Sequence, residues 1–258
     1  MRIGAPGHRV FKLSSRAPRY RPGVPLPLTH GDALAPDSDA LLAQLAAPLA
    51  EAELYLAGSA ALALYLGHRT VRDLDFMAMA NRLTPPDRRD LLQALLAAAP
   101  GVQVETARDG FLSLRVAGGE SGAGGPAVRL YYYPYPLAAP PAEHRGVEVA
   151  SAVDLGLMKL GAVISRGARR DFVDLYLLCQ RLPLAELLAK APDKFGHVGD
   201  FALQALKGLA DLSEVEGKPM PQLAAPLAWE TVEAWLAESV RELGGAHVGL
   251  AAPEEVSR

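Results

Sequence analysis

Cysteine is nearly absent: the 258 residues hold one, Cys179, so no disulfide forms within the chain and no thiolate zinc site can be assembled. Cys179 sits among Leu177, Leu178 and Leu182, the setting of a small buried hydrophobe rather than a nucleophile. Histidine is scarce as well, six in all with none at metal-ligand spacing, which argues against a zinc enzyme. Half of the residues are apolar, yet no uncharged run approaches the roughly 20 residues of a membrane span. These absences point to a soluble protein of a reducing cytoplasm, with no membrane partner. Acids are missing from one region: residues 1–30 carry six Arg or Lys and neither Asp nor Glu. Such an arm could touch a nucleic-acid backbone, but its Pro and Gly equally suit a flexible solvated tail. An acid-free, Arg-rich start also resembles a transit peptide, although Pro6, Pro18, Pro22, Pro25 and Pro27 break any amphipathic helix there.

The remaining chain changes character near Ala150. Before it, a helix capped by Asp37 or Ser38 is expected to run to about Leu49, bent or shortened by Pro48. Strand-like runs follow at Leu54–Ala57, Asp73–Met79, Val102–Thr106, Phe111–Val116, Ala127–Tyr133 and Val147–Val149. A helix near 87–98 is entered through Pro85 and Pro86, and the prolines of 136–145 read as a linker. Gly118–Gly125 follows a strand without opening a helix, so it reads as a hairpin loop rather than a phosphate-binding fingerprint. After Ala150 the pattern is helical throughout: about 151–165 with Ser151 as cap, then 169–181, 183–190, 200–212 and 229–243. We therefore divide the chain into a basic arm (1–30), an α/β lobe (31–150) and a helical lobe (151–258).

Chemistry concentrates between Leu54 and Phe76. A short strand meets Gly58-Ser59, a helix over 60–66 follows, and a second strand carries Asp73 and Asp75. Alternate strand residues share a face, which puts the two acids about 7 Å apart while Leu74 and Phe76 turn to the core. Two acids on one face repel, and divalent cations bridging the groups of a phosphoryl transfer are one relief. Gly58 permits close approach of a phosphate, and a helix starting at Ser59 offers unpaired N–H groups and a positive dipole end. Each half has a plainer reading: Ser59 is a good N-cap, and Asp-x-Asp can cap a turn or pair with Arg69 or Arg72. Jointly they fit a place for a metal-bound triphosphate. The tyrosines of Ala127–Tyr135 could stack on bases, though tyrosine is common in strands.

The run Tyr55-Leu-Ala-Gly58-Ser59 through His68-Arg69, with Asp73-Leu-Asp75, Asp154-Leu-Gly-Leu-Met-Lys159 and Arg170-Asp171-Phe-Val-Asp174, resembles the AbiEii/AbiGii-type nucleotidyltransferase toxin family of the DNA polymerase beta superfamily. The resemblance covers about residues 50–180. It implies an α+β fold, a polymerase-beta-like nucleotidyltransferase lobe of mixed sheet and flanking helices, joined to a C-terminal helical lobe. It also implies a site. Asp73 and Asp75 would hold Mg²⁺ (or Mn²⁺), Gly58 and Ser59 would cradle a nucleoside triphosphate (NTP), and Lys159 would neutralise phosphate charge; Arg69 and Arg72 would either steer the triphosphate or pair with the aspartates. Asp174 would add a further acid, with Asp171 less favoured. The superfamily pattern places a third carboxylate on a later strand, but Ala127–Tyr135 has none, and Glu105 is a second possible donor. The implied activity is transfer of a nucleotide to an acceptor such as the 3′ end of tRNA, with an antitoxin as protein partner. A non-catalytic nucleotide- or RNA-binding module and a kinase-like phosphotransferase acting on a partner protein are the alternatives.

Overall fold

The computed structural model describes residues 20–21, 23–117, 124–215 and 217–249. Seven strands form one mixed sheet in the order β3-β4-β5-β2-β1-β7-β6. They are β1 (Tyr55–Ala57), β2 (Leu74–Ala78), β3 (Val102–Arg108), β4 (Phe111–Val116), β5 (Ala127–Tyr132), β6 (Ala142–His144) and β7 (Val147–Val149). The pairs β2/β5 and β1/β7 are parallel and the others antiparallel. The helices are α1 (Pro36–Glu51), α2 (Gly58–Leu66), α3 (Pro85–Ala98), α4 (Ala152–Arg166), α5 (Arg169–Cys179), α6 (Leu184–Phe195), α7 (Phe201–Ala210) and α8 (Trp229–Gly249). Among the described residues every strand precedes Ala150, and α4 to α8 follow it. The α+β architecture is thus the expected one.

Burial explains the order of the central elements. β1 is buried along its whole length, and α2 buries Ala60 through Leu66 without a break, so both must lie inside the molecule. β2 alternates, with Leu74, Phe76 and Ala78 buried and Asp75 and Met77 only partly so, which leaves one face of that strand open. One continuous apolar core runs from Leu26 through the sheet to Leu236 of α8.

Several expectations need correction. Neither Asp37 nor Ser38 caps α1; Pro36 takes its first turn, where a missing N–H costs nothing. Ser38 Oγ donates instead to the carbonyl of Arg72 at 2.6 Å. Pro48 lies in the last turn and the helix continues to Glu51 despite the N–H bond that the proline forfeits. The 136–145 linker contains β6, which pairs with β7 through Arg145-Gly146, both at positive φ (55° and 78°). That is the backbone of a two-residue hairpin turn, hidden in the sequence because Arg stands where Asn or Asp would signal it. In the arm, residues 1–19 and 22 lie outside the described residues. Its remainder packs on the body: Leu26 is buried, and the N–H groups of Thr29 and His30 bond to Leu64 O at 3.2 and 3.0 Å. Most of the expected glycine-rich hairpin loop, 118–123, also lies outside the described residues. Among those residues no helix is long and apolar enough to cross a membrane.

Candidate active site

The Gly58 turn and Asp75 meet at the point where β1 enters α2. Gly58 has φ +61°, a conformation that a side chain rarely adopts, and a Cβ there would come within 3.0 Å of Asp75 Oδ2. Antiparallel register opposes Ala57 to Asp75, which brings the acid against the turn. Ser59 does not cap α2, whose N-cap is Ala57 without a side-chain bond. Its hydroxyl accepts from Arg69 Nη2 at 3.0 Å. The helix start therefore has no side-chain cap, and Gly58 and Ser59 line a cavity.

Asp73, just before β2, and Asp75 lie on one side, and Arg129 of β5 joins them. Arg129 Nη2 donates to Asp73 Oδ2 at 2.7 Å and Nη1 to Asp75 Oδ1 at 3.3 Å. Parallel register sets Arg129 directly beside Asp75. Asp73 Oδ1 also accepts from the Ala127 N–H at 3.1 Å. The two acids consequently differ. Burial pushes the Asp73 carboxyl up, but the hydrogen bonds from Arg129 and Ala127 outweigh it and hold the group below the ordinary carboxylate range. For Asp75 burial prevails, aided by the charge of Asp73, and its carboxyl is raised despite Arg129.

A second cluster stands on α4, α5 and the end of α2. Gly67 closes α2 at φ +59°, and a Cβ there would lie 2.4 Å from His30 Nδ1. His68 and Arg69 follow immediately. Asp174 is fully buried and receives Arg69 Nη2 at 2.8 Å, Lys159 Nζ at 2.7 Å and His68 Nε2 at 3.0 Å. Asp171 binds Lys159 Nζ at 2.9 Å and a fork from Arg166 at 2.9 and 3.0 Å. Burial opposes charge on both aspartates; Lys159, His68 and Arg69 overcome it at Asp174, Arg166 and Lys159 at Asp171, and both carboxyls lie below their usual range.

A cavity of about 1010 Å³ joins the clusters. One side carries Gly58, Ser59, Asp73, Asp75 and Arg129; another carries Lys159, Arg166, Arg170 and Asp171; and Tyr131, Tyr133, Tyr135 and Phe195 form an aromatic wall. Tyr133 and Tyr135 sit 4.6 Å apart by ring centroid, and Tyr135 meets Phe195 edge-on at 5.1 Å. Asp75 Oδ2 accepts no hydrogen bond among the described residues, and no third acid joins the pair there. Two carboxylates with one uncommitted oxygen fit a Mg²⁺ that takes its other ligands from water and a bound triphosphate.

The structure thus brings Gly58, Ser59, Arg69, Asp73, Asp75 and Lys159 to one cavity. Asp174 is different. It is fully buried, does not line the cavity and is enclosed by Lys159, Arg69 and His68, so the expectation of a further acid completing the site is corrected: its charge is spent on holding Lys159 and Arg69. Glu105 is corrected too, since it pairs with Ser113 Oγ at 2.9 Å and with Arg115 on the exposed β3 edge. Arg72 pairs with Asp37 rather than with the site. Sequence reasoning missed Arg129 and Arg166. Arg129 had a signal, as the one charged residue of the otherwise apolar and aromatic β5.

The α+β fold with paired acids beside a glycine turn at a helix start is the arrangement of a nucleotidyltransferase-like protein. Solved structures of similar architecture include JHP933 from Helicobacter pylori, with TM-score 0.52, 18% identity and coverage of 84% of this chain and 97% of that one. Another is MenT4, the nucleotidyltransferase toxin Rv2826c of Mycobacterium tuberculosis H37Rv, with TM-score 0.51, 17% identity and coverage of 88% and 92%. An uncharacterized protein of Aquifex aeolicus is 25% identical over 194 residues, 74% of this chain and 87% of its own length. The family described as the nucleotidyl transferase AbiEii toxin of type IV toxin–antitoxin systems matches residues 40–231. This chain belongs to the AbiEii nucleotidyltransferase toxin family.

Proposed function

We propose that the chain moves a nucleotide from an NTP to an acceptor hydroxyl of RNA, the 3′ end of tRNA being the favoured acceptor, and that it acts in the cytoplasm as a toxin restrained by a cognate antitoxin. The observation that carries this reading is the shared cavity, with paired acids and an uncapped helix start facing Lys159, Arg166 and Arg170. Residues 31–150 supply the paired acids, the turn, Arg69 and Arg129, and 151–258 supply Lys159, Arg166 and Arg170. The triphosphate lies along the basic side, held by the Gly58-Ser59 backbone and Lys159, with Arg69 fixing Ser59. The aromatic wall offers Tyr133 or Tyr135 as a face for the base. Mg²⁺, or Mn²⁺ in its place, held by Asp73 and Asp75 would supply charge neutralisation at the phosphates.

The acceptor oxygen attacks the α-phosphorus, the bond from that phosphorus to the bridging oxygen breaks, pyrophosphate leaves, and the hydroxyl proton passes to solvent. No side chain forms a covalent bond. Lys159 keeps its position because Asp171 and Asp174 grip it at 2.9 and 2.7 Å. The test incubates the protein with Mg²⁺, each α-labelled NTP and total RNA. Labelled RNA with pyrophosphate release is expected, abolished by Asp73→Ala. Equal behaviour of the two proteins rejects the reading, as does release of nucleoside diphosphate, which marks phosphorylation instead.

A further inference from the structure

Two-cation phosphoryl transfer places its ions about 4 Å apart, and both need anionic oxygens from the protein. This site has few to give. Asp73 Oδ1 is bonded by the Ala127 N–H and Oδ2 by Arg129, while Asp75 Oδ1 is bonded by the other arm of the same guanidinium. Among the described residues no third acid stands with them. Arg129 cannot lose its proton in a protein, so the trio carries one net negative charge rather than two. Nor can its backbone withdraw: β5 is an inner strand, paired to β2 at Asp75 and to β4 at Ser113.

We propose that Arg129 occupies the place of one cation, so that the site takes a single divalent ion on Asp73 and Asp75 while the guanidinium supplies the second positive charge. The inference deepens the nucleotidyltransferase reading and rests on it. A planar guanidinium spanning two carboxylates holds them in one orientation and still presents N–H groups to phosphate oxygens, which a compact ammonium would do less well. Arg129 lines the same cavity as Gly58 and Lys159.

The experiment counts bound Mn²⁺ on the full chain by electron paramagnetic resonance, with a non-hydrolysable NTP analogue present. One ion per chain is expected for the wild type and two for Arg129→Asp, which restores an acid in register with Asp75. Two ions in the wild type overturn the proposal, and so does a single ion in a folded Arg129→Asp. Should that variant not fold, Arg129→Gln keeps the shape and removes the charge. Titrated with Mn²⁺ alone, it should bind at least about fivefold more tightly than the wild type, because a nearby positive charge has gone; unchanged affinity overturns the proposal. Failure of the wild type to bind the analogue at all sinks the nucleotidyltransferase reading instead, and the Mn²⁺ titration without nucleotide still judges Arg129.

Discussion

Individual residues divide into those that face the cavity and those that hold them there, and the two kinds fail differently. Asp174 is enclosed by Lys159, Arg69 and His68. Asp174→Asn takes one anion from buried Lys159 and the carboxylate partner from half-buried Arg69, and a loss of about 3 kcal/mol is expected in urea denaturation. Asp73, with its side chain 42% exposed, should tolerate the same change within about 1 kcal/mol. Comparable losses in the two variants would refute this division of labour. Acid separates them as well. The folded-state pKa values of Asp171 and Asp174 lie below the ordinary 3.8, so their stabilisation is complete above that value and drains away as pH falls through the folded one. Asp75 is raised above 3.8, so its charged form costs stability, and on acidification it is lost before theirs. On lowering pH, nucleotide transfer should decline while urea stability still holds; a rate that persists until the fold itself weakens would contradict the assignment.

Elements matter through the two places where the chain turns into or out of α2. Gly58→Ala adds a methyl group at φ +61° and 3.0 Å from Asp75 Oδ2, so a cost of about 1–2 kcal/mol and a loss of triphosphate binding are expected together. Calorimetric titration with a non-hydrolysable NTP checks it, and undiminished affinity would show that the turn is not the cradle. Much of this was legible beforehand. β1, α2 and β2 follow from apolar runs broken at Gly58 and Gly67, and an alternation that left Asp75 on the open face of β2 required nothing beyond period two. What periodicity could not carry was partnership across strands: Arg129 reads as an ordinary strand residue until the β2/β5 register sets it beside Asp75. The β6/β7 hairpin escaped for a local reason, an Arg in a left-handed turn position.

For the whole molecule, the relevant fact is the continuity of the core from Leu26 to Leu236 across both halves of the chain. α4 packs on α2 as well as on α5, α6 and α7, so the cations of the second half are positioned by the first. One cooperative transition is expected. Fluorescence of Trp229 and Trp235, which pack edge-on against Phe172 and Tyr176, should melt together with far-ultraviolet circular dichroism, which reports the whole chain. Two separated midpoints would mean that the helical half folds by itself.

Composition and period alone determined that the strands lie before Ala150 and an unbroken run of helices after it, that Gly58-Ser59 stands where a strand meets a helix and Asp73 and Asp75 share one face where the next strand begins, and that Lys159 and Asp171 lie on later helices. Those are local properties, set by spacing along the chain. Tertiary structure decided which charges meet: that Asp174 is consumed in holding Lys159 and Arg69, that Glu105 is spent on a sheet edge, and that Arg129 spans the two acids. Ion pairs form over a few ångströms between residues up to 106 positions apart, and no pattern read along one strand or helix contains that distance.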